Sequence, residues 1–210
     1  MGIWQAIRGV FRRGGGDEGF VPAAKQPSVV AKRFVLLVLV AELADSVAVE
    51  AAGAREDGRA MRTRALDQLL GVGFTPGDLE ASERSFVMSL RTGKIAPNDA
   101  MAAAQRLECA GVLAWALELE PAILPVDRSA ELASLRSRLP LDTAGWQAFS
   151  GAVSVRPLPE LLAARHEWST RWFELEVRPA SDERQRVADR ARAIRWLTEP
   201  ELVELSATKV

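Results

Sequence analysis

Residues 109–119 read CAGVLAWALEL, and wound at 3.6 residues per turn they are apolar on nearly every side. A surface helix keeps a polar stripe for water, and this stretch keeps none before Glu118. Its place is the middle of a bundle, wrapped by other helices. Asn98 is a suitable N-cap and Pro121 a stop, so the spacing predicts one long central helix from Asn98 to about residue 120.

Working upstream, Ser28 follows Pro27 as a cap, and Val30, Phe34, Leu37, Val38 and Ala41 recur at helical steps until Gly53. Residues 56–70 predict a second helix with Leu66, Leu69 and Leu70 inward, stopped by Gly71 and Gly73. In TPGD (75–78), Thr75 caps, Pro76 takes the first helical position and Asp78 meets the free amides. That opens a helix to about Thr92, burying Leu79, Phe86, Val87 and Leu90. Downstream, Asp127 opens a short helix to about Leu139, and residues 142–149 add a turn or two. SVRP (154–157) alone looks extended. A helix follows from Pro157 to Val177, and Ser181 caps a last one that buries Val187, Ile194 and Leu197. No run alternates with period two and no repeat of fixed length stands out. The predicted class is all-α, a single multi-helix bundle.

Composition agrees with a folded domain. The chain has 210 residues, 48% hydrophobic and 26% charged, and a net charge of −1, so no overall field favours nucleic acid or an anionic membrane. The lone Cys109 has no partner for an internal disulfide, and no signal-peptide pattern opens the chain. The longest apolar run, residues 34–41, falls far short of the roughly 20 residues that span a bilayer. A soluble, cytoplasmic protein is expected. Lysine occurs only at positions 25, 32, 94 and 209 while arginine abounds, a bias of GC-rich bacterial genomes.

Three stretches carry a family resemblance. In QRLECAGVLAWAL, the residues Arg106, Glu108, Leu113, Trp115, Ala116 and Leu117 fit one segment, with Gln105 where a tryptophan is expected. In VRPLPELLAARHEWSTRWFEL, Arg156, Pro157, Glu160 and Trp172 fit a second. In VADRARAIRWLTEP, Asp189, Arg190, Arg192, Ala193, Trp196 and Leu197 fit a third. Together they resemble the bacterial domain-of-unknown-function family numbered 4272, from about Val29 to Pro200. The resemblance implies a helical fold and assigns no activity. Where it leads one to expect an Asp, an Arg and a His, this chain has Arg165, Ser169 and Arg171, so a polar site there would be altered.

Familiar chemistry finds few residues to work with. His166 and Cys109 are the only His and Cys, without HExxH or CxxC, so neither zinc nor any other cofactor is expected. Glu42 with Asp45, and Glu80 with Glu83, share helix faces and read as solvated surface rather than a magnesium site. His166 reads as partly exposed surface, and Cys109 as a small hydrophobe. Gly14, Gly16 and Gly19 spell G-x-G-x-x-G, but a basic helix precedes them and a Pro-containing linker follows, so no dinucleotide site is expected.

Arg106 with Glu108, and Asp189 with Arg190, read as buried polar pairs that lock helix register, or alternatively as the lining of a ligand groove. A buried guanidinium demands an acid nearby. All tryptophans but Trp4 read as core. The arginines of the last helix are interrupted by Asp182, Glu183 and Asp189, which reads as a solvated face and not as a nucleic-acid stripe.

The most suggestive segment lies at the N-terminus. Ile3, Trp4, Ile7, Val10 and Phe11 form one apolar stripe, with Arg8, Arg12 and Arg13 away from its centre. The expected organisation is a docking helix (1–13), a flexible linker (14–27), the helical domain (28–200) and a tail (201–210). A helix this short is marginal in water and orders against something else, a protein partner or an anionic membrane face. Two functional expectations follow. One is a non-enzymatic binding or adaptor protein, such as an immunity or scaffold subunit, docked through residues 1–13; the other is an enzyme with an acid/Arg site in an interhelical groove.

Overall fold

The computed structural model describes residues 23–93, 95, 97–199, 202 and 205, and every regular element among them is helical. The helices are α1 (Pro27–Ala51), α2 (Arg55–Gly71), α3 (Ala81–Thr92), α4 (Pro97–Ala116), α5 (Leu132–Arg136), α6 (Thr143–Ala152), α7 (Leu158–Glu176) and α8 (Asp182–Thr198). The all-α class is as the sequence predicts. The stripe Ile3, Trp4, Ile7, Arg8, Val10, Phe11, Arg12 and Arg13 lies outside the described residues.

Two helices share the centre. CAGVLAWALEL does run through the core, where Cys109, Ala110, Val112, Leu113, Ala114, Trp115, Ala116 and Leu117 are all buried. Yet α1 is submerged over a longer span, from Val30 to Ser46 with few breaks. The three- and four-residue steps understate it, because Val35, Leu36, Leu39 and Val40 fill the remaining faces. At about 1.5–3 kcal/mol for each large apolar side chain, this one helix carries much of the hydrophobic stabilisation. It packs chiefly on α4 and α2, while α8 packs on α4 and α7. The approach of α2 to α1 depends on Gly58, where a Cβ would sit 2.4 Å from Glu50 Cγ and 2.6 Å from the Ser46 carbonyl oxygen.

Helix ends explain most departures from expectation. α1 and α2 close with the same pair of backbone bonds around a glycine of positive φ: Gly53 N–H to Glu50 and Ala54 N–H to Val49, then Gly73 N–H to Leu70 and Phe74 N–H to Leu69. α4 closes identically around Glu118, at φ 60°, so it stops at Ala116 rather than near residue 120. The TPGD helix is also broken. Thr75 and Asp78 close a capping box on a single 3₁₀ turn (Pro76–Asp78), Leu79 is extended, and Glu80 with Glu83 caps α3 afresh.

Other corrections are local. α1 begins at Pro27 with Gln26 as its cap, not Ser28. The helix expected from Asp127 shrinks to five-residue α5. Leu70 faces outward, 67% exposed. Trp146 and Trp172 are half-buried at the edge of the core, whereas Trp115, Trp168 and Trp196 lie within it. Leu205, within the stretch expected as a tail, is fully buried and its N–H bonds Glu80 Oε1 at 2.7 Å.

Candidate functional site

The charged residues of the three resembling stretches meet, but in other pairings than adjacency suggests. Neighbours one or two apart on a helix point to different faces. Arg190 on α8 therefore reaches Glu108 on α4, with Nε and NH2 donating to Oε2 at 3.0 and 2.7 Å. Its NH1 donates to the carbonyls of Leu124 and Pro125 at 2.6 and 3.0 Å, and NH2 also to that of Arg128. The Trp168 ring covers it at 5.2 Å. Glu108 Oε1 accepts the N–H of Ala130 at 3.1 Å. Arg190, 1% exposed, thus fastens the irregular 117–131 segment to the bundle with every donor engaged.

Asp189 bonds Gln185 and Arg192 instead, and half-buried Arg106 is near enough to favour its charged form. Burial nonetheless outweighs these partners and raises the Asp189 carboxyl above the usual range. The backbone oxygen of Asp189 accepts the Cys109 thiol at 3.4 Å, and burial followed by the nearby Asp189 charge pushes that thiol up to about 12.

Arg156 accounts for the SVRP stretch. Its N–H bonds the Ala116 carbonyl, Nε bonds that of Trp115 at 2.8 Å, and NH2 bonds that of Glu120 at 3.1 Å. A guanidinium here satisfies orphan carbonyls and complements the negative end of the α4 dipole. Nor is the last helix a solvated arginine face: Arg184 and Arg186 bond backbone carbonyls, while Arg192 and Arg195 pair with Asp189 and Glu199.

Two clusters were not expected from the sequence. Glu80 and Glu83 are buried around Arg33 of α1, so they are not solvated surface. Glu42 is likewise 1% exposed, although Asp45 remains on the outside. Its Oε1 accepts Arg64 Nε and NH2 at 3.2 and 2.8 Å and also Arg136 NH1. Its Oε2 is buried without a hydrogen-bond partner among the described residues. Above this carboxylate lies a groove of about 590 Å³ lined by Ala60, Thr63, Arg64, Asp67, Gln68, Arg136 and Leu141. Gln68 braces it, donating to the Pro140 carbonyl at 2.7 Å, and Thr143 Oγ1 donates to the Gly71 carbonyl at 2.6 Å.

His166 is exposed, and Arg165, one of the departures from the resembling pattern, bonds Thr198 and Glu199. Among the described residues, no three His, Cys, Asp or Glu side chains gather as metal ligands, and no helix is long and apolar enough to cross a membrane.

Over residues 18–204 the sequence matches the family described as Domain of unknown function (DUF4272). The chain belongs to this family. No curated protein and no solved structure matches it. In this DUF4272 member, Glu108, Arg156 and Arg190, which carry the resemblance, hold helices and loops together, while Asp189 and Arg192 pair with each other along α8. They are features of a fold, and the groove beneath Arg64 and Arg136 is built from residues outside those three stretches.

Proposed function

We propose that this DUF4272 protein is a non-enzymatic helical binding module, an adaptor that docks through residues 1–13 to a larger protein assembly. The observation that carries the reading is the division of labour among its residues. Buried acids and arginines of the bundle tie helix to helix, while the sequence concentrates an amphipathic stripe in Ile3, Trp4, Ile7, Val10 and Phe11.

Lys25 is pinned by its N–H on the Leu197 carbonyl at 3.1 Å, by Nζ on the Leu202 carbonyl at 2.7 Å, and over the Trp196 ring at 4.7 Å. The end of the expected linker is thus fixed beside α8 at Lys25. A protein groove suits the stripe better than a membrane, because one short helix with three nearby arginines holds a bilayer only weakly.

The test is affinity capture from the native host with the full chain and with a shortened chain beginning at Val21. A partner retained by the full chain, lost by the shortened one, and bound again when both purified proteins are mixed is the expected result. Equal capture by both chains overturns the proposal. The enzyme reading would take the Glu42–Arg64–Arg136 groove as its site, and is favoured if substitution there abolishes cellular function while partner capture is retained.

A further inference from the structure

We propose that the groove between α2 and residues 136–141 binds a small organic anion, a carboxylate- or phosphate-headed molecule, through Arg64 and Arg136. The inference is independent of the docking role given to residues 1–13.

The charge count comes first. Two guanidiniums converge on a single oxygen of Glu42, which brings like charges close together. One carboxylate neutralises only one of them. Asp67 also lines the groove and balances the count overall, but it makes no ion pair among the described residues, while Glu42 lies buried behind the two arginines. The positive charge of Arg64 and Arg136 is thus left at the groove wall for an anion to meet.

Donor count agrees. Arg64 commits Nε and NH2 to Glu42, and Arg136 commits NH1 to Glu42 and NH2 to Gln68 at 3.5 Å. Arg64 NH1 and Arg136 Nε are left without a hydrogen bond among the described residues. Guanidiniums fixed from behind by a buried carboxylate are pre-organised for an oxyanion, since little rotamer freedom remains to be lost. Glu42 is the positioning residue of this arrangement and does not itself reach the ligand, being 1% exposed.

The rim sets the rest of the molecule. Leu141 lines the groove and is 78% exposed. An anion carrying an apolar body covers this side chain, and a bare inorganic ion does not.

The experiment follows the Arg Nε–Hε resonances of the full-length protein in ¹H–¹⁵N spectra, titrated with benzoate, phenyl phosphate and, as the neutral control, benzamide. Saturable shifts of Arg64 and Arg136 with benzoate or phenyl phosphate, but not benzamide, are expected; the acid that binds tighter identifies the head group. Arg64→Gln, at a site where the native side chain is already 55% exposed, should weaken binding roughly tenfold while the melting temperature stays near wild type. Asp67→Asn should tighten it. Saturable shifts with benzamide, no saturable shift with either acid, or unchanged affinity in a folded Arg64→Gln protein would each overturn the proposal.

Discussion

Glu108 and Arg190, 82 residues apart in sequence, form a buried ion pair in which two guanidinium nitrogens share one carboxylate oxygen at 3.0 and 2.7 Å. Removing one partner strands the other charge in the core. Glu108→Leu should destabilise the fold by about 3–5 kcal/mol. A cycle with Arg190→Met, followed by urea unfolding, should show a coupling of roughly 1–3 kcal/mol, and additive effects would contradict the pairing.

Trp115 lies in the core, 8% exposed, with the Arg156 guanidinium 5.2 Å from its ring. Trp115→Ala should cost about 3–5 kcal/mol through the cavity it leaves. A urea midpoint equal to wild type would remove α4 from the centre of the bundle.

Glu118 occupies the left-handed position that Gly53 and Gly73 fill in the matching helix ends. Its side chain makes only an exposed bond from Ser154 Oγ at 3.1 Å. A non-glycine residue in that conformation costs about 1–2 kcal/mol, partly offset by the greater unfolded-state entropy of glycine. Glu118→Gly should therefore raise stability by up to about 1 kcal/mol. A lower melting temperature would show that the Ser154 contact outweighs the strain.

Most helices were legible because caps, glycine stops and apolar periods are local signals. The missed α4 terminus shows the limit, since nothing local distinguishes Glu118 from the helical residues before it. The buried acids were missed for a different reason. An arginine in an apolar helix demands a partner acid, and the rule that implies one for Arg106 holds equally for Arg33, which adjoins the apolar run of α1. Glu42 follows the same logic with the sign reversed, in a helix buried on all sides. Which acid meets which arginine depends on how helices cross. Glu108 found Arg190 and not Arg106 because α4 packs on α8, a fact no spacing within one helix contains.

Cys109 offers a pH-dependent check. Burial and then the Asp189 charge raise the thiol from 9.0 to about 12, so the folded protein keeps it protonated where the unfolded chain ionises. The unfolded state binds fewer protons between those values, so stability present below pH 9 is lost as pH rises towards 12. Wild type should lose stability more steeply than Cys109→Ala above pH 9. At neutral pH a disulfide reagent should label Cys109 only on unfolding, and rapid labelling of the native protein would contradict its burial.

The docking role of residues 1–13 is tested most directly by Trp4→Ala combined with Phe11→Ala, read simultaneously as partner co-purification and thermal stability. Both side chains belong to the apolar stripe. The account predicts that co-purification is abolished and the melting temperature hardly moves. A double variant that melts markedly lower yet still binds its partner would contradict it, making the segment part of the bundle rather than its docking device.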